Sequence, residues 1–440
     1  TTETNTSDAS GPVARIYGIH MSELYDIFRR HPCISTDTRR IEPGSVFFAL
    51  HGATFDGNRF ALAALDAGAA CAVVDDPAVA ASAGEAYAGR IVTVDDALAA
   101  LQALAREHRR RLGIPLLAIV GSNGKTTTKE LVSRVLAERF EVYATRGNLN
   151  NHIGVPLTLL AMTRDTRFGV VEMGASACGE IALLASIAEP NYGILTNIGR
   201  AHLAGFGGPE GVRRGKGELF DYLAANGGRA FVPREDETLT NMAAERDGLA
   251  VEYYSVTLAE GLENHLEGHY NRFNIAAAVA VGRYFDVADE RIRHAVGSYV
   301  PDNNRSQRTE TGRNTLIVDC YNANPSSMRA SVANFLAEPP GARTRRLLIL
   351  GDMLELGAWS EQEHAAVIRL AAQAPQTEVM LVGTEFARAH AGMEPQPARI
   401  TLFADREHLI AALRAHPVDN ALVLIKGSRG IGLEKAVGEL

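Results

Sequence analysis

The chain has 440 residues, too many for one ordinary core and enough for two to four domains at ~100–200 residues each. Hydrophobic residues make up 46% and charged residues 22%, a balance that excludes a disordered or collagen-like chain. Acidic residues exceed basic ones, 52 to 44, and the net charge of −8 argues against nucleic acid as the main partner while leaving room for a local basic pocket.

Cys33, Cys71, Cys178 and Cys320 are far apart and form no CxxC pair, so neither a zinc site nor a disulfide framework is expected. The polar stretch Thr1–Gly11 reads as a flexible tail without a signal sequence, and no run of about 18 apolar residues suggests membrane insertion. A cytoplasmic, reducing location and a monomer are the expectation.

In chain order, Ser45–Leu50 reads as a strand, Phe60–Ala69 as a helix, and Cys71–Val74 and Ile91–Val94 as strands. Asp95 and Asp96 suit the start of the next helix, and Arg109, Arg110 and Arg111 suit its end. Gly113-Ile114-Pro115 interrupts it. Leu116–Val120 is a buried-strand run, followed by a helix with apolar Leu131, Val132, Val135 and Leu136. Phe168–Val171 and Tyr192–Leu195 read as strands and Asn271–Arg283 as a helix. A polar linker, Pro301–Arg308, precedes strands at Thr315–Asp319, Leu347–Leu350, Val379–Val382, Ile400–Phe403 and Leu422–Ile425, with helical patterns between them. Such alternation implies a doubly wound sheet. The expected fold is α/β with three domains: a small N-terminal α/β domain (12–112), a central, mostly parallel domain carrying a phosphate loop (113–302), and a C-terminal Rossmann-like domain (303–440).

The most informative stretch is Gly121-Ser122-Asn123-Gly124-Lys125-Thr126-Thr127, between a strand and a helix. Glycines let the backbone approach a phosphate, and the helix start presents unpaired N–H groups. Lys125 suits the terminal phosphates and the Thr126 hydroxyl suits Mg²⁺. The GxxxxGK[ST] spacing is not met, because its first glycine would fall at Ile119. Taken alone, the loop says nucleoside triphosphate; switches, transport ATPases, kinases and ligases all remain open. Glu172 at a strand end is a further hard-oxygen candidate for Mg²⁺. By pattern alone, Lys216 in GVRRGKGELF is a helix-start lysine on a solvated face, and His202 is one of 13 histidines.

GSNGKT resembles the shortened loop of the Mur ligase family, and the likeness covers nearly the whole chain. It extends to VEMGASACGEI (171–181), LTNIGRAHLAGFG (195–207), VDCYNANPSSMRA (318–330), LGDMLELG (350–357) and IKGSRG (425–430). The YNANP and GDMLELG segments are similar to the family branch that adds D-alanyl-D-alanine to UDP-N-acetylmuramoyl-tripeptide; the DNPR segment of the lysine- or diaminopimelate-adding branch is absent. The resemblance implies ATP-driven amide synthesis through an acyl phosphate, with two Mg²⁺ ions. It implies Lys125, Lys216 and His202 as catalytic residues and Thr126, Glu172, His202 and Lys216 at the metals, with Lys216 carbamylated. ATP would meet residues 121–127, Asn271 (Asn274 being its rival), Arg305 (Arg308 being its rival) and Asp319. Thr38, Arg39, Asn58, Asn148, Asn151 and His152 would serve the UDP-substrate. Tyr321, Asn322, Asn324, Lys426 and Arg429 would serve the dipeptide, its carboxylate anchored by Lys426 or Arg429. Other readings are a folylpolyglutamate-type amide ligase and a nucleotide-gated binding protein that makes no bond.

Overall fold

The computed structural model describes residues 15–16, 19–266, 268–301, 307–339, 341–397 and 399–440. Arg305 and the N-terminal stretch Thr1–Gly11 lie outside the described residues.

β1 (Arg15–Ile16) and β2 (Ile19–His20) form an antiparallel hairpin. β3 (Ile34–Ser35), β4 (Val46–Phe48), β5 (Cys71–Val74) and β6 (Ile91–Thr93) then pair in sequence order as a parallel sheet. Asp96 caps helix α1 (Ala97–Leu112), accepting from the Ala99 N–H at 2.8 Å, and Gly113 ends it in the left-handed region at φ +63°.

The chain divides into two compact units. The first holds this sheet and also takes in residues 145–167 and 186–189. The basic end of α1 explains part of that. His108 bonds the Met162 carbonyl at 2.9 Å, Arg109 donates to the carbonyls of Ala188 and Glu189, and Arg110 pairs with the Glu189 carboxylate at 2.6 Å.

The second unit contains two six-stranded sheets. β7 (Leu116–Val120), β8 (Val142–Ala144), β9 (Phe168–Glu172), β10 (Tyr192–Leu195), β11 (Arg229–Pro233) and β12 (Ala250–Tyr254) are all parallel, in the order β12-β11-β10-β7-β9-β8. The order reverses at β7, so the loop after it opens at the sheet's switch point. Helix α2 (Lys125–Ala137) buries Leu131, Val132, Val135 and Leu136 completely, in one core with Ala-rich helix α3 (Asn271–Tyr284).

β13 (Gln307–Glu310), β14 (Thr315–Asp319), β15 (Arg345–Gly351), β16 (Thr377–Val382), β17 (Ile400–Phe403) and β18 (Ala421–Lys426) lie in the order β13-β14-β18-β15-β16-β17. All run parallel except β13, an antiparallel edge strand. The structure thus replaces the end of the expected linker with a strand: Gln307 and Arg308 pair with Val318 and Ile317. Among the described residues no helix is long and apolar enough to cross a membrane.

Candidate active site

The phosphate loop is held from one side by the turn after β10. Asn197 accepts from the Ser122 N–H through its carbonyl (3.1 Å) and from the Asn123 N–H through its side chain (3.1 Å). The Thr196 hydroxyl donates to the Asn123 carbonyl at 2.6 Å, and Ser122 Oγ exchanges bonds with Gly199. Two glycines are required by this closeness. A Cβ at Gly121 (φ +148°) would lie 1.9 Å from Thr196 Oγ1, and one at Gly124 (φ +79°) 2.6 Å from Asn274 Oδ1.

Lys125 begins α2 and folds back, donating to the Gly121 carbonyl at 2.7 Å. Thr126 Oγ1 donates to Glu172 Oε2 at 2.9 Å; both residues are buried, and Glu172 closes β9. A buried hydroxyl beside a buried carboxylate, at a helix N-terminus, is a hard-oxygen donor set. It fits a Mg²⁺ ion whose remaining ligands are water and phosphate oxygens. Among the described residues no group of three or more His, Cys, Asp or Glu side chains gathers to hold a metal alone.

Lys216 corrects its pattern reading. It sits in the middle of helix α4 (Pro209–Ala225) and is 1% exposed. The glycines around it let neighbours close in: a Cβ at Gly215 would be 2.5 Å from the Phe206 ring. Lys216 Nζ donates to the Ala175 carbonyl at 2.9 Å. Burial first, then the nearby Lys125 charge, pulls this amine down to about 7, against the opposing pull of Glu180 and Glu218. Burial also lowers the His202 imidazole, with Glu355 opposing and Lys216 and Lys125 assisting. His202 Nδ1 bonds the Glu355 carboxylate.

On α3, Asn274 is the intermediary. Its amide accepts from Thr128 Oγ1 at 3.0 Å and donates to Asn271 Oδ1 at 2.7 Å, fixing the way Asn271 points. Both asparagines are buried.

The third sheet brings Asp319, at the end of β14, against Lys426, at the end of β18. Their buried ion pair is 2.5 Å long, and Ser331 Oγ also donates to Asp319. Arg429 is exposed, with its guanidinium 5.4 Å from the Tyr321 ring. Asn324 caps helix α5 (Pro325–Ala337), and its Nδ2 donates to Asn123 Oδ1 at 2.7 Å, joining the YNANP segment to the phosphate loop. Asn322 is exposed, and Arg308 pairs with Glu338 at 2.9 Å.

In the first unit, Asn58 is buried and its amide is fully used. Nδ2 donates to Asp56 and Asp75, and Oδ1 accepts the N–H groups of Asp75 and Asp76. The exposed Arg39 pairs with Asp37 at 2.7 Å, beside Thr38. Asn151 accepts the N–H groups of Ile153 and Gly154, starting the helix Gly154–Leu160; Asn148 and His152 are exposed.

The second unit therefore gathers residues 121–127, Glu172, Asn271, Asn324, Asp319 and Lys426 onto the C-terminal ends of its two sheets. Thr196, Asn197, Ser326 and Glu355 belong to this arrangement and were not singled out by the sequence, although all four lie in the quoted motifs.

Residues 119–263 match the family model described as Mur ligase middle domain. Residues 304–429 match that of the Mur ligase glutamate ligase domain, and residues 32–109 that of the Mur ligase family catalytic domain. The UDP-N-acetylmuramoyl-tripeptide–D-alanyl-D-alanine ligase of Bacillus subtilis is 33% identical over 92% of each chain. The protein of the same name from Escherichia coli is 33% identical over 92% of this chain and 93% of its own. A crystal structure of MurF from Acinetobacter baumannii superposes with a TM-score of 0.81 at 29% identity, covering 92% of both chains. The chain belongs to the Mur ligase family.

Proposed function

We propose that this chain is the ATP-dependent amide ligase that joins D-alanyl-D-alanine to UDP-N-acetylmuramoyl-tripeptide. Two supports meet here: relatives of that name match 92% of its length, and the phosphate loop is bonded directly to the YNANP segment through Asn123 and Asn324. That bond carries the proposal, because it joins a nucleotide-binding turn to the sheet edge that would take the incoming dipeptide.

The tripeptide carboxylate attacks the γ-phosphorus of ATP; an O–P bond forms and the bond to ADP breaks. The dipeptide amine then attacks the acyl carbon, loses a proton and expels phosphate. Lys125 exchanges its bond to the Gly121 carbonyl for a phosphate oxygen, and the N–H groups at the start of α2 hold the other oxygens. Thr126 and Glu172 would hold Mg²⁺, which when bound neutralises charge on the phosphates.

Lys216 is the carbamate site in this reading. An amine pulled down to about 7 is neutral in much of the population at neutral pH. Its lone pair can attack CO₂, forming an N–C bond and releasing a proton, and the cation becomes an anion able to serve a second Mg²⁺ together with His202. Asn271 faces the adenine, held by Asn274. Lys426 is committed to Asp319, so Arg429, over Tyr321, is the dipeptide carboxylate anchor. Thr38, Arg39, Asn148 and His152 meet the UDP-substrate, while Asn58 and Asn151 shape its loops. Residues 12–112, 113–302 and 303–440 divide these tasks as UDP-sugar, ATP and dipeptide domains, in a cytoplasmic monomer. Mass spectrometry tests the proposal: with ATP and Mg²⁺, the UDP-tripeptide gains the mass of the dipeptide less one water. No such product in the presence of all substrates contradicts it.

A further inference from the structure

We propose that Glu363 is a positioning residue for the phosphate loop, acting through Arg200. The Glu363 side chain is 3% exposed and meets two guanidinium groups: it accepts a hydrogen bond from Arg329 Nη1 at 2.8 Å and forms an ion pair, out of hydrogen-bond alignment, with Arg200 Nε at 2.6 Å. The two arginines reach it from segments that follow strands of different sheets. Arg329 lies on α5, which follows β14 in the chain, whereas Arg200 lies on the turn after β10. Arg329 already compensates the buried carboxylate, so the second pair is available to fix where the Arg200 turn sits.

That turn is the one that clasps the phosphate loop. Asn197 holds the N–H groups of Ser122 and Asn123, and Gly199 exchanges bonds with the Ser122 hydroxyl. Only Ile198 and Gly199 separate Asn197 from Arg200, so a displaced Arg200 reaches the loop almost directly. The Arg200 N–H also donates to Ser326 Oγ at 2.8 Å, two residues after Asn324, the helix cap that bonds Asn123. Trp359 marks the same place. Its ring lies 5.3 Å from the Arg200 guanidinium and against Gly208.

The inference rests on the nucleotide reading above, and its test needs no bond formation. Trp359 is the only tryptophan, so its emission in the full chain reports on this contact. Arg200→Ala leaves the Glu363–Arg329 pair and the Asn324–Asn123 bond in place and removes the guanidinium that meets Glu363 and Trp359. It is expected to red-shift Trp359 emission and weaken Mg-ATP binding about tenfold by calorimetry, with UDP binding unchanged. Arg200→Lys, which keeps the charge, is expected to recover most of the affinity. Unchanged emission with unchanged Mg-ATP affinity overturns the proposal. So does an equal loss of UDP binding, which marks general disruption rather than positioning. A chain that binds Mg-ATP without ligating still decides it.

Discussion

His202 and Glu355 stand 153 residues apart and meet side chain to side chain, and both carry left-handed backbone, at φ +53° and +63°. Each non-glycine residue in that region costs about 1–2 kcal/mol, which persists only where surrounding contacts hold it. The neighbouring contacts are specific: the Ala204 N–H donates to the Glu355 carbonyl at 3.3 Å, and Gly357 packs against Ala204. The Glu355 anion favours the protonated ring. Glu355→Gln is therefore expected to lower the His202 pKa further, read by NMR titration of the imidazole, and to reduce turnover about tenfold. A His202 pKa that rises or stays fixed contradicts the pairing.

The Thr126–Glu172 pair makes metal dependence specific. Chelation with EDTA is expected to abolish turnover and Mg²⁺ to restore it. Glu172→Gln keeps the bond from Thr126 but removes the charge, and turnover is expected to fall roughly 100-fold with little change in melting temperature. A Glu172→Gln variant with native turnover at ordinary Mg²⁺ would exclude the carboxylate from the metal site.

Lys216 gives a pH prediction with a definite sign. Its folded pKa of about 7 lies below the ordinary 10.5, so the charged form is disfavoured in the fold. The resulting stability penalty is full below about 7 and fades as pH rises toward the ordinary lysine value. Lys216→Met is thus expected to raise the melting temperature at pH 6 and to leave it nearly unchanged at pH 10. Carbamate formation needs the neutral amine, so activity is expected to fall as pH drops through about 7 and to respond to bicarbonate in CO₂-depleted buffer. Activity indifferent to bicarbonate would remove the carbamate from the account.

Much of this was legible in the sequence for identifiable reasons. Leu116–Val120, Tyr192–Leu195 and Ile400–Phe403 are strands with the bounds that their apolar runs suggest. The phosphate loop was readable because glycines, lysine and threonine fall between a strand and a helix. β11 and β12 were not: in β12 the apolar run is broken by Glu252, and four of its five residues are only half-buried. Lys216 looked solvated because pattern cannot show that Phe206 folds over its helix. Nor could pattern show that Lys426 is paired. That pairing depends on β14 and β18 lying side by side, which places Asp319 opposite Lys426.

Asp319 and Lys426 lead to a contrast between stability and binding. Lys426→Ala removes the buried cation that pairs with Asp319, and a loss of about 3–5 kcal/mol is expected in denaturant unfolding. Arg429→Ala should leave stability intact and raise the dipeptide KM roughly 10–100-fold, with the ATP KM unchanged. The reverse pattern would return the anchor role to Lys426.

Asn58 tests the first unit. Asn58→Ala removes donors to Asp56 and Asp75 and the acceptor for two N–H groups. It is expected to cost about 1–3 kcal/mol and lower the melting temperature. Full stability in that variant would show that the amide is not holding the loop.

The most direct test of the ligase reading is phosphate release from ATP, measured with each substrate alone and with both together. Release that requires UDP-N-acetylmuramoyl-tripeptide and D-alanyl-D-alanine at once is the predicted result. Release that proceeds equally well without either would contradict it.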